Sequence, residues 1–241
     1  IAGAVLSVIV FVGSAIWSAH RADGFSKADW QCLAVIGILT FFNIFFWMGF
    51  EQAGGTMTLF ADEQTDRHLF GWEIPASYFQ SINPLGIVVM APIFSALWIR
   101  LDSPGSRFAT STPMKMALGM ITLGVGFILM YFAQQLATSS GSVGPLWLAG
   151  VYFIHTLGEL MLSPIGLSMV TKLAPARLGS LMMGLWFVSS AVANWFAGNL
   201  EAIVEEWHLP VYGVLIATSI GAGVVLIALT PILKRWMHGR G

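Results

Sequence analysis

The chain has 241 residues, of which 56% are hydrophobic and 10% charged, with a mean hydropathy of +0.78 and a formal net charge of −1. A soluble domain carries roughly 25% charged residues, so this composition excludes an ordinary soluble protein and predicts several membrane crossings. The apolar runs are long and do not alternate in polarity, which favours helices over the strands of a membrane barrel. The single cysteine, Cys32, excludes an internal disulfide and a multi-cysteine metal site.

Seven segments of the chain are apolar enough and long enough to cross the hydrocarbon, which takes about 20 residues. In chain order they cover residues 1–19, 30–60, 74–100, 113–136, 146–173, 178–200 and 209–233. The first segment begins inside an apolar run, with no initiator Met and no basic region before it, which is atypical of a signal peptide. We therefore expect further protein to precede it.

Basic residues are concentrated in alternate connections between these segments. Of the 11 Lys and Arg, only Arg67 falls in the second, fourth or sixth connection. The others lie in the first, third and fifth connections and in the C-terminal tail: Arg21, Lys27, Arg100, Arg107, Lys115, Lys172, Arg177, Lys234, Arg235 and Arg240. Because short connections rich in Lys and Arg stay in the cytoplasm, we expect the C-terminus to face the cytoplasm.

Two acidic residues, Glu51 and Glu159, lie within the apolar segments, whereas no Lys or Arg lies deep in any of them. A charged side chain at the centre of the bilayer costs about 3 kcal/mol on insertion scales, and such residues often mark ion paths, proton relays or substrate sites. The structural alternative is a static ion pair, which needs a cation. Either these carboxylates are protonated, or their partners lie in other parts of the protein.

Polar and aromatic residues recur at helical spacing around the two carboxylates. Residues four apart lie on the same face of a helix, and the sets at this spacing are Asn43, Trp47 and Glu51, then His155 and Glu159, then Trp186, Ser190 and Asn194. Asn83 adds a polar side chain to the third segment, next to Pro84, which we expect to bend that helix. Together these faces predict a polar cavity that binds an amphipathic solute.

Metal chemistry finds little support in the same residues. His155 and Glu159 could supply two ligands, but a catalytic zinc site usually needs three, and the chain has no HExxH motif. His155 fits a packed or proton-shuttling histidine better than a ligand. We expect neither a metal nor a cofactor.

Three stretches form a more specific pattern. They are FFWMGFEQAGGTMTLFADEQTDR at 45–67, YFQSINPLGIVVMAPIFSAL at 78–97 and HTLGELMLSPIGLSMVTKLAPARLGSLMMGLWFVSSAVANWFAG at 155–198. In this order they resemble the seventh, the eighth, and the tenth and eleventh helices of the proton-dependent oligopeptide transporter family of the major facilitator superfamily. The resemblance covers about residues 28–235.

The resemblance implies an all-α membrane protein made of the C-terminal six-helix bundle of a major facilitator and one preceding helix. In that arrangement residues 1–20 are an inserted transmembrane helix between the two halves of the transporter. Residues 21–29 are a cytoplasmic linker, and residues 30–241 form the six-helix bundle with its cytoplasmic tail.

The resemblance also implies proton-coupled symport of di- and tripeptides by alternating access. The positions matching Glu51 and Glu159 respond to protonation and pair with an arginine and a lysine of the N-terminal half. Glu159 also receives the amino terminus of the peptide, and the other positions that line the peptide site are Trp47, Asn83, Trp186, Phe187 and Ser190. The implied partners are protons, di- and tripeptides, the lipid bilayer and the N-terminal half, in the inner membrane and without nucleic acid.

Three other functions stay open from the sequence. A relative of the same family could move another solute, such as nitrate, and would then not bind dipeptide. An intramembrane metal-dependent enzyme would need a third ligand or a nucleophile elsewhere and would lose activity with a chelator. A channel would conduct without a proton gradient and would not accumulate solute.

Overall fold

The computed structural model describes residues 2–69, 71–103 and 110–240, and it is almost entirely helical in these ranges. Its helices are α1 Ala2–Asp23, α2 Lys27–Phe50, α3 Thr56–Glu63, α4 Ile82–Leu101, α5 Thr112–Ser140, α6 Pro145–Leu173, α7 Gly179–Glu206 and α8 Val211–Trp236. Three short 3-10 turns cover Glu51–Ala53, Ala76–Ser81 and Ala176–Leu178. Arg107, one of the basic connecting residues, lies outside the described residues.

A small hairpin closes the connection between α3 and α4. Strands β1, His68–Leu69, and β2, Trp72–Glu73, pair antiparallel, with His68 opposite Glu73. Arg67 holds this connection together, because its guanidinium lies 2.8 Å from both the Asp62 and the Glu73 carboxylates. The one basic residue of the predicted outer connections therefore has a local structural role.

Six helical segments of the described chain are long and apolar enough to cross a membrane. They are Lys27–Glu63, Ala76–Leu101, Thr112–Ser140, Pro145–Leu173, Ala176–Glu206 and Val211–Trp236. These segments correspond to the last six predicted ones, so the prediction of a six-helix bundle is confirmed. A helix, α1, also forms over the first predicted segment; its crossing of the membrane stays a prediction.

Local sequence sets where several helices begin and end. Ser26 caps α2: its hydroxyl accepts the Asp29 backbone N–H, and the Asp29 carboxylate accepts the Ser26 backbone N–H at 3.0 Å. Proline stands at the start of α5 and α6, where its missing N–H removes no helical hydrogen bond. Gly141 ends α5 with a φ of +88°, a conformation that favours glycine.

Helix α5 lies at the centre of the packing, between α6 and α8. Its contact with α6 is close, since a Cβ added at Gly119 would lie 2.7 Å from the carbonyl oxygen of Gly158. Apolar side chains from α2, α5 and α6 fill the core, and Phe46, Leu123, Phe127 and Leu162 are completely inaccessible to solvent. Glu51 follows α2 and Glu159 lies on α6, so this packed group carries the two carboxylates, and α4 and α7 pack against it.

Helix α4 is loosely packed on the bundle, because none of its described residues is buried. A cavity of about 520 Å³ separates its second half from α5 and α6. At that end Lys115 of α5 pairs with Asp102 and lies 4.6 Å from the centre of the Trp98 ring. Polar and cation–π contacts, rather than an apolar face, hold this end of α4 to the bundle.

Candidate functional site

Glu51 lies at a break in the second membrane segment. The sequence predicts one helix over residues 30–60, but α2 ends at Phe50, a 3-10 turn covers Glu51–Ala53 and α3 begins at Thr56. Gly54 and Gly55 occupy the gap, and consecutive glycines have low helix propensity. The break places the half-buried Glu51 side chain on a turn instead of in a regular helix.

The face predicted for Asn43, Trp47 and Glu51 is divided in the structure. Asn43 is completely buried, and its amide nitrogen donates to the Ser189 hydroxyl of α7 at 2.8 Å. Trp47 is half-buried and contacts the Phe46 and Phe50 rings. Asn43 therefore joins α2 to α7 inside the bundle, and the prediction that it shares the cavity face with Glu51 is wrong.

Asn83 and Glu159 form the best-defined polar contact of the site. The Asn83 amide nitrogen donates to Glu159 Oε2 at 2.8 Å and to the Thr156 hydroxyl at 3.2 Å. Pro84 falls in the first turn of α4, where its missing N–H removes no helical hydrogen bond. The predicted bend in the middle of this helix is therefore absent at Pro84, and Asn83 lies at the start of the helix. This geometry joins α4 to α6 at the Glu159 carboxylate.

Glu51 and Glu159 lie on neighbouring elements: the Tyr152 hydroxyl of α6 contacts the turn that carries Glu51, and Glu159 is seven residues further along α6. Asn194 of α7 is exposed, and its amide nitrogen donates to the Ser190 carbonyl of its own helix at 2.9 Å. A cavity of about 160 Å³ adjoins this group, lined by Phe50, Ala53, Gln80, Asn83, Tyr152 and His155. Within the part of the chain that the structure describes, neither carboxylate pairs with a Lys or Arg.

The aromatic residues predicted for the site have different environments. Trp186 is buried, with its ring packed so closely on α6 that a Cβ at Gly166 would lie 2.3 Å from Cζ2. Gly166 is seven residues beyond Glu159, which is about 10 Å along the helix. Phe187, the next residue of α7, is 59% exposed, and Ser190 is half-buried. Of the predicted site residues, the structure joins Asn83 and Glu159 directly.

His155 lies one turn before Glu159, but its ring is buried against Phe127, with 4.6 Å between ring centres. A Cβ at Gly126 would lie 2.4 Å from Nε2, so the ring fills the space between α5 and α6. Nε2 has no hydrogen-bond partner among the described residues. These contacts are those of a packing residue.

Sequence reasoning missed two residues that contact the turn around Glu51. Gln52 is 1% exposed and bonds to α7, and the Tyr152 hydroxyl of α6 donates to the Ala53 carbonyl at 3.0 Å. Gln52 directly follows Glu51 in the stretch at residues 45–67 that resembles the transporter family. A second polar residue beside Glu51 in that stretch was a signal that could have identified Gln52. Tyr152 has no comparable signal, because a hydroxyl on an apolar helix acquires its partner only from the packing.

A known protein family has the same sequence pattern over most of this chain. The model of the POT family matches residues 6–215, most of the chain. The chain belongs to the POT family. The family prediction made from the three sequence stretches is thereby confirmed: the family is one of transporters, and the chain is a multi-pass membrane protein.

POT relatives match almost the whole chain but only part of their own length. The uncharacterized transporter YclF of Bacillus subtilis is 37% identical over 99% of this chain and 47% of its own. The peptide transporter YePEPT of Yersinia enterocolitica is 39% identical over 90% of this chain and 43% of its own. A crystal structure of a peptide transporter POT in complex with sulfate superposes with a TM-score of 0.82 at 31% identity, over 98% of this chain and 46% of that one.

The chain therefore spans about half the length of the POT proteins that it matches. The structural similarity confirms the predicted fold class, an all-α half of a major facilitator with a preceding helix. The six spans, the break at Glu51 and the Asn83–Glu159 contact all belong to this half.

Proposed function

We propose that this chain is the C-terminal half of a proton-coupled symporter of di- and tripeptides. The observation that carries the proposal is that two carboxylates, Glu51 and Glu159, lie on neighbouring elements of a POT-family bundle and have no Lys or Arg beside them in the described chain. A relative named as a peptide transporter, YePEPT, supports peptides as the solute.

Glu159 is the counter-charge for the ammonium group of the peptide. An ionised carboxylate forms short, charge-assisted hydrogen bonds with an ammonium, and Asn83 holds one Glu159 oxygen at 2.8 Å in a fixed direction. The Asn83 amide oxygen is left to accept from a peptide N–H. Glu159 and Asn83 thus bind the charged end of the substrate from two different helices.

Trp47, Trp186, Phe187 and Ser190 form the other wall of the peptide site in this proposal. Phe187 is exposed, so its ring is available to substrate side chains of many shapes. Trp186 presents only the edge that its packing against Gly166 leaves free. A wall that is mostly apolar suits a transporter with a broad range of peptides.

Glu51 is the proton-coupling residue, and Glu159 shares this role. Proton binding at Glu51 neutralises one of the two carboxylates and releases the cation that it contacts on the N-terminal half. The contact between the halves then loosens, and alternating access follows as one half rocks against the other. The protein lies in the inner membrane with its C-terminus in the cytoplasm. Residues 1–20 are an inserted helix, residues 21–29 a linker and residues 30–241 the bundle.

Transport by the full-length protein in proteoliposomes tests this function. Wild type should accumulate dialanine only with an inward proton gradient. The variant Glu51→Gln should lose this accumulation and keep counterflow exchange, because it removes the proton site and leaves Glu159 and Asn83 intact. Glu63→Gln, at the exposed end of α3, is the matched control and should behave like wild type. Wild-type uptake that ignores the gradient would contradict proton symport and would favour another solute or a channel.

A further inference from the structure

Hydrogen bonds of Gln52 and Ala53, the two residues after Glu51, join the turn that carries Glu51 to α7 and α6. Gln52 is 1% exposed, and its side-chain nitrogen donates to the Ala197 carbonyl of α7 at 3.2 Å. On the opposite side of the turn, the Tyr152 hydroxyl of α6 donates to the Ala53 carbonyl at 3.0 Å. The residues after Glu51 are therefore tied to α7 and α6.

The nitrogen and the oxygen of the Gln52 amide both have partners in the described chain. Its nitrogen also donates to the Met48 carbonyl at 3.3 Å, and its oxygen accepts the Thr56 hydroxyl at 3.2 Å. Met48 is among the last residues of α2, whose carbonyls lose their helical partners where the helix stops. Gln52 replaces one of these partners and at the same time reaches the neighbouring helix.

This arrangement holds the backbone of the turn that carries the Glu51 side chain. Helix α6 contributes the titratable groups Glu159, Tyr152 and His155 to this region, and α7 contributes the neutral Asn194. Asn83, also neutral, faces it from α4, and no described Lys or Arg joins them. A shift of the turn changes the separation of Glu51 from Glu159, and like charges interact more strongly when they are closer.

We propose that Gln52 and Tyr152 are positioning residues that hold the Glu51 turn against α7 and α6 and so set the proton affinity of Glu51. The proposal rests on the proposed function, in which Glu51 takes up the coupled proton. It adds two residues that touch neither substrate nor proton and act only through the position of the turn.

Two variants remove the ties with little change in side-chain size. Gln52→Leu loses the bonds to Ala197, Met48 and Thr56, and Tyr152→Phe loses only the hydroxyl. Losing a hydrogen bond changes an equilibrium by about fivefold. We expect gradient-driven accumulation of dialanine to fall by about that factor, with counterflow little changed. Gln135→Leu, at an exposed position of α5, is the matched control and should change neither.

Infrared difference spectroscopy of the full-length protein in nanodiscs gives a readout that a general loss of stability would not produce. The carboxyl band that wild type shows and Glu51→Gln lacks belongs to Glu51. The pH at which this band is half-maximal is the titration midpoint, and it is measured in each variant. We expect the midpoint to move to more acidic pH in Gln52→Leu and Tyr152→Phe, because carboxylates that separate repel less and bind a proton less tightly.

An unchanged midpoint in both variants would overturn the positioning role. A shifted midpoint in a protein whose wild type accumulates no dipeptide would support the positioning role and reject the proposed substrate. Should Gln52→Leu fail to fold, Tyr152→Phe decides the outcome, since it removes a single hydroxyl and keeps the ring.

Discussion

At the scale of single residues, one amide joins two helices at the charged centre of the site. The Asn83 nitrogen reaches Glu159 and Thr156, and the Thr156 hydroxyl in turn donates to the Tyr152 carbonyl at 2.8 Å. Each of these polar groups has a partner, which is what a low-dielectric interior requires. The direction of the Glu159 carboxylate therefore depends on Asn83.

Replacing Asn83 with Ala should weaken peptide recognition. A hydrogen bond to a charged group contributes about 1.5–3 kcal/mol, so we expect kcat/KM for dialanine uptake to fall by about tenfold or more, mainly through KM. Initial rates against peptide concentration in proteoliposomes measure this. Asn199→Ala is the matched control, because Asn199 is exposed and, among the described residues, bonds to the Trp195 carbonyl of its own helix. Equal KM values for the Asn83 variant and wild type would contradict this role.

Sequence reasoning identified Glu51, Asn83 and Glu159 because a polar residue in an apolar segment stands out. It placed Asn43 wrongly because helical spacing gives a face but does not say what that face packs against. It missed Gln52 and Tyr152 because their partners are carbonyls of other parts of the chain. The identity of such a partner depends on how the helices pack.

At the scale of helices, the contact between α6 and α7 leaves no room for a larger side chain. Gly166→Ala would place a Cβ 2.3 Å from the Trp186 ring, and overpacking costs about 1–3 kcal/mol. We expect a lower Tm and weaker peptide binding, because the Trp186 ring must move. Gly221→Ala in α8 is the control; its Cβ meets nothing within 4 Å, so its Tm should equal or exceed that of wild type. A Gly166→Ala protein with wild-type Tm would show that the ring moves freely.

The α4 helix depends on Lys115 at the end opposite Asn83. Lys115→Met would leave Asp102 without this cation and remove the contact with the Trp98 ring, while α4 has no buried apolar face to compensate. We expect hydrogen exchange around residues 98–102 to become several-fold faster, as local stability falls by about 1 kcal/mol. Lys234→Met, exposed on α8, is the control. Unchanged exchange at the end of α4 would show that Lys115 does not anchor it.

At the scale of the whole molecule, the distribution of charge predicts the orientation in the membrane. Along the sequence the basic residues fall in alternate connections and in the C-terminal tail, apart from Arg67, which is paired with Asp62 and Glu73. We expect a fluorescent protein fused to the C-terminus of the full-length transporter to be fluorescent and an alkaline phosphatase fused there to be inactive, because both report a cytoplasmic location. A phosphatase fusion at Ser139, in the opposite connection, should be active. The reverse result would invert the topology.

The sequence by itself determined that the chain crosses the membrane as helices, where the last six crossings lie, which family it belongs to and which carboxylates are unusual. These follow from composition and from hydrophobic runs, since each crossing must satisfy its own backbone hydrogen bonds. Only the tertiary structure decided that the second crossing breaks at Glu51, that Asn83 meets Glu159 and that Gln52 and Tyr152 hold the turn. These contacts join residues from different helices, and such pairs are set by packing, which the local pattern of a sequence does not contain.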